Sequence, residues 1–78
     1  MKKFARICDI TSEPMNYGWV LFDGEMYFKY KRDALRHVKN IGYKNLDDAF
    51  RNDAIYYTEW SEFDAEYLVD DDGNIHVI

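Results

Sequence analysis

The chain has 78 residues and a formal net charge of −5, a length that limits burial to about 60–65% of the unfolded surface, so its core must come from large side chains. Seven Tyr, five Phe and two Trp supply them, each able to bury roughly 150–250 Å². The longest apolar run, Trp19 to Phe22, is far too short to span a bilayer, no apolar signal core follows Lys2 and Lys3, and the single Cys8 excludes an intrachain disulfide. A single cytoplasmic domain over residues 1–78 is therefore expected.

"KFARICDI" alternates as a first strand, with Ala5 and Ile7 on one face and Phe4, Cys8 and Ile10 on the other. "TSEPMNYG" breaks the pattern, and Pro14 and Gly18 mark it as a loop. In "WVLFDGEMYFKY", Asp23-Gly24 suits a two-residue hairpin turn. That turn sets Phe22 opposite Glu25, Leu21 opposite Met26, Val20 opposite Tyr27 and Trp19 opposite Phe28. Trp19, Leu21, Met26 and Phe28 then share one core face.

From Lys31 the spacing becomes helical. Ala34, Leu35, Val38 and Ile41 form an apolar stripe, Arg32, Arg36 and Lys39 lie on another side, and Gly42 suits the C-terminal cap. A two-turn helix begins after Asn45, a good cap, with Asp47 and Asp48 where the helix dipole favours negative charge, and Ala49 and Phe50 facing inward. "AIYYTEW", "AEYLV" and "NIHVI" read as strands, with Ala65, Tyr67 and Val69 on one face and Ile75 and Val77 alternating likewise. The order predicts an α+β fold, a small antiparallel sheet with helices on one face.

The blocks "CDIT" at 8–11, "MNYGWV" at 15–20, "DGEMYFKYKRDAL" at 23–35, "GYKNLDDAF" at 42–50 and "YYTEW" at 56–60 occur in this order over about three quarters of the chain. In them the sequence resembles a group of small proteins of bacteria and their phages. The resemblance implies no activity and no functional residues.

Chemistry-bearing motifs are sparse. A calcium loop with Gly73 at its sixth position would put Leu68 where Asp is required and its bidentate Glu after Ile78, so Asp70, Asp71 and Asp72 read instead as the polar turn of a hairpin through Asp72-Gly73 or Gly73-Asn74. Cys8, His37 and His76 lack the close ligand pairs of a structural zinc site, and both histidines read as surface residues. No nucleophile elbow or phosphate loop frames Cys8, Thr11, Ser12 or Ser61. Neither catalysis nor a cofactor is expected, and a small enzyme of unknown class is kept as an alternative reading.

Charge is the outstanding signal. Residues 1–44 hold nine Lys or Arg against five Asp or Glu, whereas residues 45–78 hold one Arg against ten acids, giving +4 and −9. One reading is solvated faces. The sharper one is an acidic interaction module in which Glu59, Trp60, Glu62, Asp64, Glu66, Asp70, Asp71 and Asp72, interleaved with aromatics, bind a basic protein, with mimicry of nucleic acid as one mode. Two other readings stand beside it. The basic segment 29–39, with Phe28 just before it and Tyr30 within it, could bind nucleic acid, although the overall acidity opposes this. The opposite charges of the two halves also permit self-association.

Overall fold

The computed structural model describes residues 1–22 and 24–78; Asp23, half of the expected turn dipeptide, lies outside them. Its centre is the antiparallel pair β4 (Tyr17–Leu21) and β5 (Met26–Phe28), in the register Trp19↔Phe28, Val20↔Tyr27 and Leu21↔Met26. The expected pairing therefore holds up to Leu21. Beyond it, the Glu25 N–H donates to both the Leu21 and the Phe22 carbonyls and the Phe22 N–H to the Ala54 carbonyl, while Asp23 of the expected turn dipeptide lies outside the described residues.

Strand β6 (Ile55–Glu59) completes this sheet in the order β5-β4-β6. On one face of it pack α1 (Lys31–Asn40) and α2 (Leu46–Arg51), enclosing Leu21, Phe28, Ala34, Val38, Ala49, Ala54 and Ile55 with Trp19, Met26 and Leu35 at the margin. Apolar residues spaced by three and four along α1 meet the apolar face of a strand pair, which is why helix and hairpin associate. The Asn45 side chain accepts from the Asp48 N–H and starts α2. Two residues expected inside are outside. Ile41 follows the last turn of α1 and is 42% exposed, and Phe50, on the outer side of a helix too short to bury both flanks, is 59% exposed.

The opposite face of the β4 sheet is covered by the N-terminal segment, where Ala5, Cys8, Met15 and Val20 are buried. The expected first strand is broken in two. The Asn16 side chain accepts from the Ala5 N–H and donates to the Lys3 carbonyl, dividing β1 (Lys2–Phe4) from β2 (Arg6–Ile7). Part of the expected loop is also a strand, β3 (Pro14–Met15), paired with β2.

A third sheet, in the order β1-β7-β8, joins β1 to β7 (Tyr67–Val69) and β8 (Ile75–Val77). The chain is thus an α+β fold with three small antiparallel sheets rather than one. The last strand is docked as expected, with Tyr67 opposite Val77 and Val69 opposite Ile75, yet no residue of this sheet is buried.

Candidate functional site

The acidic residues of the C-terminal half fall into two groups, divided by what each carboxylate touches. Asp70 works within its own hairpin. One oxygen accepts from the Asp72 and Asn74 N–H groups, and the other lies 2.8 Å from His76 Nε2. His76, then the Asn74 N–H, hold its carboxyl below the ordinary range. The Gly73 N–H bonds back to the Asp70 carbonyl, and Gly73 at φ +84° turns the chain between Asp70 and Asn74. This is a three-residue loop, one longer than the expected turn. Asp71 and Asp72 at its tip are exposed.

Glu66 reaches Arg6 at 3.4 Å. Asp64 closes a capping box with Ser61 on the single 3-10 turn Glu62–Asp64. Trp60 is also engaged, edge-on to Tyr27 at 5.9 Å, with the Arg6 guanidinium 5.3 Å from its ring centre. Asp64, Glu66, Asp70 and Trp60 are therefore each engaged within the fold, although Asp64 and Glu66 remain exposed.

Glu59 and Glu62 are exposed and form no ion pair among the described residues. Beside them lie Tyr17 and Tyr57, half exposed, and Phe63, 94% exposed. Tyr17 is opposite Glu59 and Trp19 opposite Tyr57, so Tyr17, Tyr57 and Glu59 share one face. Partial burial, then the Glu59 charge, push the Tyr57 hydroxyl above its ordinary pKa. Both edges of this sheet differ from each other. Along β5, Asp9 takes up the Tyr27 N–H and donates to the Tyr27 carbonyl, and the Lys29 N–H points to Cys8 Sγ. Along β6, no strand lies outside among the described residues. The bonds from Trp60 to Asn16 and from Phe22 to Ala54 fix the antiparallel alternation, so Tyr56 and Thr58 bond to β4 while Tyr57 and Glu59 turn their backbone N–H and C=O outward.

The basic segment has little free aromatic surface. Phe28 is fully buried, and Tyr30 donates to Glu13 at 2.7 Å while the Arg32 guanidinium covers its ring at 4.7 Å. His37 is half-buried against Phe28, with ring centres 5.3 Å apart. It lines a cavity of about 100 Å³ with Ile10, Asp33, Arg36 and Asn40, a group that sequence reasoning missed. Its only trace in the sequence is the spacing of positions 33, 36, 37 and 40 on one side of α1.

Burial pushes the Cys8 thiol up, but hydrogen bonds from the Thr11 hydroxyl and the Lys29 N–H outweigh it and leave the thiol below its ordinary value. Among the described residues, no cluster of three or more His, Cys, Asp and Glu side chains is placed to hold a metal ion, and no helix is long and apolar enough to cross a membrane. Comparison with known protein families, with curated proteins and with solved structures gives no match.

Proposed function

We propose that this chain is a non-enzymatic protein-interaction module that takes an extended basic segment of a partner protein along the open edge of β6. The observation that carries this reading is the coincidence of three features along and just beyond β6 and on its partner β4. Outward backbone groups at Tyr57 and Glu59, the aromatic pair Tyr17 and Tyr57, and the carboxylates of Glu59 and Glu62 lie together. Strand addition draws affinity from main-chain hydrogen bonds and specificity from alternate side chains. A Lys or Arg opposite Glu59 would meet a carboxylate, and Phe63, standing almost wholly in water, offers the apolar anchor that interfaces favour.

The test is a titration of the 15N-labelled protein with extended Lys- and Arg-rich peptides at low and high salt. Saturable shifts at Ile55–Glu59 that weaken steeply with salt are expected, since rim charges act through screened attraction. Glu59→Pro removes an outward N–H and leaves the bonds to β4 in place, so it should abolish strand addition without unfolding the sheet. Binding that survives both high salt and Glu59→Pro would overturn the reading.

A further inference from the structure

We infer that β8 is a dimerisation edge, along which a second copy of this chain pairs antiparallel about a two-fold axis at His76, joining two three-stranded sheets into one. The bonds of the hairpin fix which groups are free. The Ile78 N–H donates to the Glu66 carbonyl and the Asp70 N–H to the Asn74 carbonyl, so residues 74, 76 and 78 bond to β7 while Ile75 and Val77 turn both backbone groups outward. No strand lies outside β8 among the described residues. The other edge of the same sheet is closed, because the Asn16 side chain bonds the Lys3 carbonyl and the Ala5 N–H alongside β1.

Charge and register select the occupant. Natural proteins turn other strands away from an exposed edge with a charge, a proline or a bulge. Glu59 guards β6 against self-pairing, since two copies joined there would bring like charges together. β8 carries no such guard: residues 73–78, GNIHVI, contain no Asp, Glu, Lys, Arg or Pro. They offer apolar surface instead, with Val77 80%, Ile78 65% and Ile75 41% exposed, and a basic peptide of the kind proposed for β6 would find no carboxylate on the strand. A two-fold pairing must also be self-complementary. With His76 on the axis, Ile75 of each copy meets Val77 of the other, and these are the residues with outward backbone groups, so each pair can exchange both main-chain bonds. An axis at Ile75 would set Val77 against Gly73 of the turn. The antiparallel sense keeps the acidic loops apart. They leave at opposite ends, with the two Asn74 residues about 14 Å apart at roughly 3.4 Å per residue, beyond the Debye length of about 8 Å. A parallel copy would set the loops side by side. Because Asn16 closes β1, the sheet ends at two copies. The inference is independent of strand addition at β6, because none of its residues belongs to that edge.

The experiment is sedimentation equilibrium of the full chain at low and high salt, from about 10 µM to about 1 mM, the range suited to a small interface, with amide exchange at both ends of that range. A monomer–dimer equilibrium is expected that tightens as salt rises, because two chains of net charge −5 repel each other until screened. In the dilute monomer the Ile75 and Val77 amides exchange freely. At high concentration they should gain more protection than those of His76 and Ile78, which bond to β7 in both states. Val77→Pro removes an outward N–H and spares the bonds to β7, so it should weaken dimerisation at least about tenfold with the far-UV spectrum unchanged. Val77→Lys, at a side chain standing in water, should weaken it likewise by placing a charge on the edge. A monomer throughout the range, a dimer that weakens with salt as attraction between the basic and acidic halves requires, protection gained at Tyr57 and Glu59 in place of Ile75 and Val77, or a dimer of unchanged strength in both variants would each overturn the assignment.

Discussion

Gly18 is the position where the fold tolerates least. It sits in β4 opposite Thr58 with φ +150°, and a Cβ added there would lie inside van der Waals contact of both the Phe28 carbonyl oxygen and Met15 Cε, and 3.2 Å from the Phe28 carbonyl carbon. One obstacle is backbone of the neighbouring strand, which cannot move aside, and the other is the end of a flexible but fully buried side chain. Overpacking of this kind costs about 1–3 kcal/mol, and holding an L-residue at that φ adds about 1 kcal/mol or more. Against these, Gly→Ala restricts the unfolded chain and returns about 0.4–1 kcal/mol. Gly18→Ala should therefore destabilise the protein by about 1–4 kcal/mol, a large part of the roughly 4–12 kcal/mol expected for a chain of this length.

At about 4–8 °C per kcal/mol for a domain of this size, the melting temperature should fall by at least about 4 °C. Gly73→Ala is the control, since its φ is +84° but nothing lies within 4 Å of the added Cβ, so strain alone remains and the loss should be about 1 kcal/mol. Thermal and urea unfolding followed by circular dichroism measure both. A Gly18→Ala protein melting within about 4 °C of the wild type would show that Met15 does not fill the space under β4 and would refute the packing described for that face. Adding Met15→Ala should recover part of the Gly18→Ala loss, with a coupling above about 0.5 kcal/mol.

Three further outcomes are expected. Asp70 has a depressed folded pKa, so its contribution to stability is present above the ordinary Asp value of about 3.9 and is lost as pH falls through the lower folded value. The urea midpoint of the wild type should therefore exceed that of Asp70→Asn at neutral pH and converge on it below about pH 4, and a gap unchanged down to about pH 2 would contradict the role given to His76 and Asn74. Amide exchange should be slowest in β4, which is paired on both sides, and fastest in β8, whose residues are all exposed; equal protection in the two would count against the open third sheet. Cys8 is 1% exposed despite its lowered pKa, so a disulfide reagent should label it only at the rate of unfolding, and rapid labelling of the native protein would place the thiol at the surface.

What could be read from the sequence was local. The β4–β5 register, the stripe of Ala34 and Val38 and the cap at Asn45 follow from residues close together in the chain, and each stands where spacing put it. The break at Ala5 could not be read, because its cause is the side chain of Asn16 eleven positions away. Phe50 and Ile41 were placed inside by periodicity, but the ends of short helices leave the core sooner than the pattern does. At the candidate site, the exposure of Glu59 and Glu62 was legible from the density of charge. The engagement of Trp60 by Arg6 and Tyr27 was not, since it needs β2, β5 and the end of β6 brought together.

The charge split along the sequence has a different meaning once the chain is folded. Basic β1 pairs with β7 beside the acidic hairpin, so that Lys2 lines the same surface depression as Asp70 and Asp71, and Arg6 reaches Glu66. Where the C-terminal acids meet basic groups of the other half, those groups are on the N-terminal strands and not on α1 as simple attraction between the halves would suggest. Among the described residues that form no ion pair are Arg32 and Lys39 on the outer side of α1 and Glu59 and Glu62 at the β6 edge. A domain that needed charge only for solubility would gain as much from mixed signs on every face. Here the unmatched carboxylates coincide with outward backbone groups and a solvent-exposed Phe63, and that coincidence, more than the net charge, makes the β6 edge the surface to test first.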